Sequence, residues 1–439
     1  MNKLSENPRF QKVMSWTASS LVLAFFLLVT LGSYVKIKTV VVIVYTVIAA
    51  ILLIPVLKKG IREFLHSPLL WLWIAYCIVG LLSTVFIAKE RDMYILISEV
   101  TFTFILFSLT RHIRYEDFFK LFRIYVLILV LIAFFQSITG ILVFQFLKEG
   151  TQFIAEDKTH GILSLFEYRH YFGCYILLAF FSLFFYPARY LILNLLYGAV
   201  FLLAVVLTYT RCIWIAFVVG MLLLLIFALV QLVKRNQAGE KRGRRKLSRG
   251  SIIVLIVFAL AAVVFVIVFR ESFASIWARA IKRITVLNPK QNSWYNRMFT
   301  IINGPKYLFA NPKLLPIGGG AGSALKWLET VEGARFRGAI DCQYVHTLLE
   351  TGVIGLTLFL AMIVYTFIRF FRSKEKEEQL FALEYLAVAA ALFFFEAVVV
   401  NSSVYALWVF VLVSLCRRSS LSHKRSSGTM KRQSTASTR

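Results

Sequence analysis

Carboxylates are scarce in this chain. Only 22 Asp and Glu stand against 49 Lys and Arg in 439 residues. The outer loops carry Lys and Arg without clustered carboxylates, which argues against a magnesium site. Cysteine is scarcer still. The five, at 77, 174, 212, 342 and 416, have the spacing of neither a disulfide framework nor a zinc site. Cys212 and Cys342 are both expected near the outer surface, but nothing in the sequence pairs them. No internal repeat is visible, which disfavours a secondary transporter built from two related halves. No Gly-Lys-Ser/Thr accompanies the one glycine cluster, which excludes a P-loop. The first apolar run is too long for a signal-peptide core and lacks a small-x-small cleavage site, so an uncleaved first helix is expected.

What the chain has in abundance is apolar length. It is 59% hydrophobic, a membrane composition. Runs of about 17–25 apolar residues cross a bilayer as helices, because lipid leaves backbone polar groups no other partner. About twelve such runs are expected: 14–34, 38–57, 68–88, 93–110, 121–143, 171–187, 190–209, 212–233, 251–269, 346–368, 380–399 and 402–416. Lys and Arg set the orientation. With the N-terminus inside, the cytoplasmic loops receive Lys58, Lys59, Arg62, Arg111, Arg114, Lys120, Arg123, the run Lys234–Arg249, Arg369–Lys376 and the tail from Arg417. The short outer loops receive only Lys36, Lys38, Lys89, Arg91 and Arg211. The net charge of +27 therefore reads as orientation and attraction to anionic headgroups, and nucleic acid is not expected as a partner. The fold class expected is all-α and polytopic. Helices would fill 1–269 and 346–416, a large outer loop would occupy 270–345 between the ninth and tenth crossings, and 417–439 would be a disordered basic cytoplasmic tail.

That outer loop carries eleven Lys and Arg that the orientation rule does not require. It opens with an amphipathic pattern. Phe273, Ile276, Trp277, Ala280, Ile281 and Ile284 share one face, and Arg279, Lys282 and Arg283 the other, as in a helix lying in the interface plane. A helical turn from Met298 to Leu308 is expected to break at Gly304-Pro305. Residues 316–323, Pro-Ile-Gly-Gly-Gly-Ala-Gly-Ser, are either a flexible turn or a backbone cradle for phosphate. Asp341-Cys342-Gln343-Tyr344 then leads into the tenth crossing. There Gln343, His346 and Glu350 share a face, and Asp341 is either a helix cap or, like His346, a candidate general base. Elsewhere, Arg211 sits at a tight outer turn, either snorkelling or aimed at a phosphate, which its fork suits. Arg169 and His170 close an outer loop, 144–170, that either is solvated or contacts anions. Glu99 is an ionisable group at membrane depth, a functional candidate or a hydrated helix-end carboxylate. Glu384, Glu396 and Asn401 fall in the last pair of crossings.

Four segments resemble the O-antigen ligase and polymerase superfamily of bacterial envelope glycosyltransferases, over roughly 160–365. They are Gly161–Tyr175; Thr210-Arg211-Cys212-Ile213-Trp214; Arg297 followed by Pro316-Ile317-Gly318-Gly319-Gly320; and Asp341-Cys342-Gln343-Tyr344 continuing to Glu350-Thr351-Gly352-Val353-Ile354-Gly355. The resemblance implies a GT-C-like membrane enzyme of the bacterial cytoplasmic membrane that acts on its outer face without metal, nucleotide or other cofactor. Its donor would be a glycan on undecaprenyl diphosphate, and its surroundings membrane lipids, a flippase and a chain-length regulator. Arg211, Arg279 and Arg297 would hold the diphosphate. Asp341 or His346 would serve as base, and Arg169, His170, Gln343 and Tyr344 would contact glycan or acceptor. Family ligases usually carry a histidine where this chain has Asp341, which favours a polymerase over a ligase that transfers to a lipid A-core or other final acceptor. A lipid-linked-oligosaccharide flippase or transporter, and a non-catalytic scaffold, are the rival classes.

Overall fold

The computed structural model describes residues 8–32, 38–53, 67–87, 93–139, 164–166, 169–208, 210–237, 292–332, 340, 342–373, 375–393 and 404–416. Among these residues the chain is helical, with no strand. In chain order the helices are α1 (Pro8–Gly32), α2 (Lys38–Leu53), α3 (Pro68–Phe86), α4 (Met93–Thr110), α5 (Tyr115–Thr139), α6 (Arg169–Phe185), α7 (Leu191–Leu207), α8 (Arg211–Gln237), α9 (Asn292–Ala310), α10 (Ser323–Thr330), α11 (Gln343–Arg372), α12 (Lys376–Ala387) and α13 (Val404–Cys416). Eleven of the expected apolar runs fall on these helices. The run 251–269, the amphipathic pattern 273–284 and the basic tail lie outside the described residues.

Among the described residues, five helical segments are long and apolar enough to cross a membrane: Arg9–Leu31, Pro68–Phe86, Tyr115–Gln136, Cys212–Val230 and Gln343–Arg372. Their two-sided apolarity fits that role. On α5, Phe118, Phe122, Val126 and Val130 are buried, while Ile124, Ile128, Leu131 and Phe135 form an exposed stripe at helical spacing. A helix that is apolar on its outward face as well as its inward one is suited to lipid, not water. The protein is thus a multi-pass membrane protein.

Several helices begin earlier than hydropathy indicates, because a polar first turn is invisible to an apolar window. Helix α5 starts at Tyr115, not near 121, with Glu116 and Asp117 in its first turn, where the helix dipole favours acids. Asp117 also accepts the Ser15 hydroxyl of α1 at 3.3 Å. Helix α9 runs unbroken through Gly304-Pro305, contrary to the expected break. Proline in a helix interior forfeits a backbone bond. Here tight packing against α11 holds the segment: a side chain at Gly304 would meet Val345 at 2.9 Å. The last pair of apolar runs is not two plain helices either. Helix α12 widens into a π-helical turn, Val388–Leu392.

Helix α11 packs along α3 and α12, and it carries α9 and α10 on its first half. A single large core joins α1–α8 with α11–α13. A second, smaller one gathers Leu308, Ala324, Trp327, Leu328, Val345 and Leu349 beneath α9 and α10. The cationic ties Arg123–Tyr186 O (2.6 Å) and Arg369–Glu378 involve one set of helix ends. The polar contacts that gather α3, α9, α10 and the start of α11 involve the other set.

Candidate active site

Helix α11 is broken once, at Gly352, with φ 67° and ψ −166°. This backbone region is accessible to glycine and essentially closed to other residues. A break strands backbone groups on both sides of it, and at the edge of a membrane they need protein partners. The glycine loop supplies them. Gly319 and Gly320 donate N–H to the Leu349 and Glu350 carbonyls at 2.8 and 3.0 Å. On the far side, the Val353 and Ile354 amides donate to the Leu315 and Pro316 carbonyls at 3.0 and 3.1 Å. The loop thus splices the two halves of the helix. Backbone meets backbone here, so a Cβ on Gly352 would sit 2.5 Å from the Gly318 nitrogen, and one on Gly318 would sit 2.4 Å from the Glu350 carbonyl carbon.

This arrangement corrects the reading of 316–323 as a phosphate cradle or a flexible turn. The Gly318 amide donates to Leu314 O at 2.7 Å. Those of Gly319 and Gly320 are spent on α11. Ala321 donates to the Thr84 hydroxyl oxygen at 3.0 Å, and Gly322 to Glu350 Oε1 at 2.8 Å. Each of these amides has a protein acceptor, so the loop is a structural clasp.

Glu350 lies at the centre of the clasp. It is buried, as is His346 one turn earlier. His346 Nε2 stands 3.4 Å from the same Oε1 that accepts the Gly322 amide, a long polar contact. The first half of the chain reaches this point through α3. The Ser83 hydroxyl donates to Glu350 O at 3.1 Å, and Thr84 accepts from Ala321. Sequence reading assigned nothing to these two residues. Hydroxyls near the end of an apolar helix carry no signal of a partner more than 230 positions away.

The other expected site residues are placed as follows. Gln343 is fully buried and donates its amide to the Thr347 hydroxyl at 3.1 Å. The Tyr344 hydroxyl donates to Ala389 O in the π-helical turn at 2.7 Å. Both side chains thus have a bond inside the fold. Helix α11 starts at Gln343 with Cys342, itself buried, at the cap position, so the expected cap at Asp341 moves by one residue. Asp341 and Arg279 lie outside the described residues.

Arg211 opens α8; its side chain is outside the described part. Its neighbours on α8 are fastened by hydrogen bonds. Ile213 and Trp214 amides donate to Thr210 O at 3.1 and 3.2 Å. The Trp214 indole donates to Val205 O at the end of α7 at 3.0 Å. The Thr-Arg-x-x-Trp pattern is therefore in part a lock that fixes where Arg211 emerges.

Arg169 and His170 open α6. His170 is buried against Tyr171, with ring centroids 4.1 Å apart. It precedes the expected crossing at 171–187. Burial first, and then the Arg297 cation, push its imidazole pKa down to about 3, so it is neutral at physiological pH and able to hydrogen-bond without charge. The Arg297 charge, half-buried on α9, is near enough to act on His170. The structure thus brings Arg297 to His170, and His346 to Glu350. No group of His, Cys, Asp and Glu suited to a metal occurs among the described residues.

No curated protein matches the chain. Residues 196–360, which include Arg211, Arg297, the glycine clasp and Gly352, match the family model described as O-Antigen ligase, and this match supports the O-antigen ligase and polymerase superfamily for the chain.

Proposed function

We propose that the protein is a polymerase of cell-envelope polysaccharide. It transfers a glycan from an undecaprenyl diphosphate carrier to a sugar hydroxyl of another lipid-linked repeat unit. In this reading the chain crosses the bacterial cytoplasmic membrane about twelve times, and 270–345 faces outward. The observation that carries it is the match of residues 196–360, which include Arg211 and Arg297, to the family model described as O-Antigen ligase, with the helix that bears Arg297 packed against α11.

The chemistry follows from charge. The anomeric C–O bond to phosphate breaks, and negative charge grows on the leaving diphosphate. Fixed cations in a water-poor site stabilise that charge in the transition state. Arg297 and Arg211 fill this role, with Arg279 as a third. The acceptor oxygen forms the new bond to the anomeric carbon and gives its proton to a base. The base is Asp341, two residues before α11 begins, or His346; the burial of His346 beside Glu350 favours Asp341. Arg169 and neutral His170 contact the glycan at the rim. The reaction requires neither metal nor nucleotide.

The test is reconstitution of the purified protein with a polyprenyl-diphosphate oligosaccharide, followed by separation of products by size. A ladder that disappears with Asp341→Asn and Arg297→Ala supports the proposal. Transfer to an added lipid acceptor without a ladder establishes a ligase, the reading favoured by the family description of the matched model. Movement of the donor across the bilayer without any transfer overturns both.

A further inference from the structure

The family match begins at residue 196, yet the clasp is not complete without α3, at 68–86. Ser83 and Thr84 are adjacent and both fully buried. Neighbouring residues on a helix point about 100° apart, so the two hydroxyls reach different targets. Ser83 gives its proton to Glu350 O, which also accepts the Gly320 amide. In an unbroken helix that carbonyl would accept the Ile354 amide. The break at Gly352 sends that amide to Pro316 O, at 3.1 Å. The Glu350 carbonyl is thus an orphan of the break, filled from one side by the loop and from the other by α3. Thr84 has the complementary arrangement. Its hydroxyl donates to Gly80 O at 2.7 Å, which leaves its oxygen lone pairs for the Ala321 amide. The polarity of each hydroxyl is therefore set by its surroundings.

The two bonds converge on one group. Ser83 holds the backbone of Glu350. Thr84 holds Ala321, whose neighbour Gly322 donates to the Glu350 carboxylate, and that carboxylate faces His346. We propose that Ser83 and Thr84 are positioning residues for glycan transfer: through the backbone of Glu350 and Ala321 they set the Glu350–His346 pair on the first turns of α11. This role rests on the transfer reading above. It extends the working site to a helix that lies more than 100 residues before the matched segment.

The experiment uses the full chain in liposomes, with transfer from a polyprenyl-diphosphate oligosaccharide measured against donor concentration and pH. Ser83→Ala removes one bond, and Thr84→Val removes two, the one to Gly80 O and the one from the Ala321 amide, each with little change in volume. The expected result is a fall in kcat of about tenfold to a hundredfold, with KM for the donor changed by less than about threefold and a shifted pH profile. The double variant should lose less than the product of the two single losses, because both act on one pair. Thr84→Ser, which keeps the hydroxyl, should recover most of the rate. Unchanged kcat and pH profile per folded molecule in both single variants overturn the role, as does a loss confined to yield or melting temperature. If Ser83→Ala does not fold, Ser83→Thr paired with Thr84→Val gives the same readouts. Absence of transfer by the wild type is a different failure, which removes the proposed function itself.

Discussion

Replacing Gly352 with alanine puts a methyl group 2.5 Å from the backbone of Ile317 and Gly318 and demands φ near 67° of a residue with a Cβ. The strain of that conformation is about 1–3 kcal/mol. The collision cannot be relieved by a side chain turning aside, because the atoms met are backbone. Relief therefore comes by parting the clasp, which breaks four bonds: Gly319 to Leu349, Gly320 to Glu350, Val353 to Leu315 and Ile354 to Pro316. At about 0.5–1.5 kcal/mol each, their loss costs about 2–6 kcal/mol. The combined penalty, about 3 kcal/mol at the least, compares with a typical total stability of about 5–15 kcal/mol. The expected result is local opening of the clasp with the bundle intact. Hydrogen exchange in detergent or nanodiscs reads it directly. At about 1.4 kcal/mol per factor of ten, even the lower bound speeds exchange of the Val353 and Ile354 amides by more than about a hundredfold. Amides in the middle of α3 and α5 should be unaffected. Wild-type protection at 353 and 354 in Gly352→Ala refutes the clasp.

Arg297→Ala should lower transfer by about 10²–10³-fold, the typical worth of one preorganised charge stabiliser, with normal protein in the membrane; rates within about threefold of wild type, on the same assay, refute its role. Trp214→Phe removes the indole bond to Val205 O and should cost about 1 kcal/mol, read as a lower melting temperature together with weaker transfer, because the turn that presents Arg211 loosens. Glu384 is buried and neither of its carboxyl oxygens has a hydrogen-bond partner among the described residues. Glu384→Leu should therefore stabilise the protein by about 1–3 kcal/mol, and an unchanged or lower melting temperature refutes this. For His170 the folded pKa, about 3, lies below the unfolded value of 6.5, so the unfolded chain binds the proton first as pH falls. Its contribution to stability is complete above about pH 6.5 and declines steadily toward about pH 3. Between pH 7.5 and pH 5 the wild type should lose up to about 2 kcal/mol that His170→Gln does not lose, a difference visible in paired thermal melts.

Most of what the chain determines by itself is local. A run such as Cys212–Val230 is a membrane helix because nineteen apolar residues can satisfy their backbone in lipid no other way. That decision needs no partner, so it is legible one segment at a time. The motif residues Arg211, Arg297 and Glu350-Thr351-Gly352 were legible as a pattern, and the family match covers them. Their tasks were not. Whether the amides of 318–322 are free for a phosphate depends on what faces them, and the answer lies at Leu349, Glu350 and Thr84. Whether Gly304-Pro305 ends a helix depends on Val345 pressing against it. Ser83 matters because of a break 269 positions later, at Gly352. Hydropathy is a sum over neighbours in sequence, whereas the satisfaction of a stranded carbonyl is a property of neighbours in space. For that reason the sequence reached the membrane bundle, and only the tertiary structure decided which polar groups at its end are spent on the fold and which remain for chemistry.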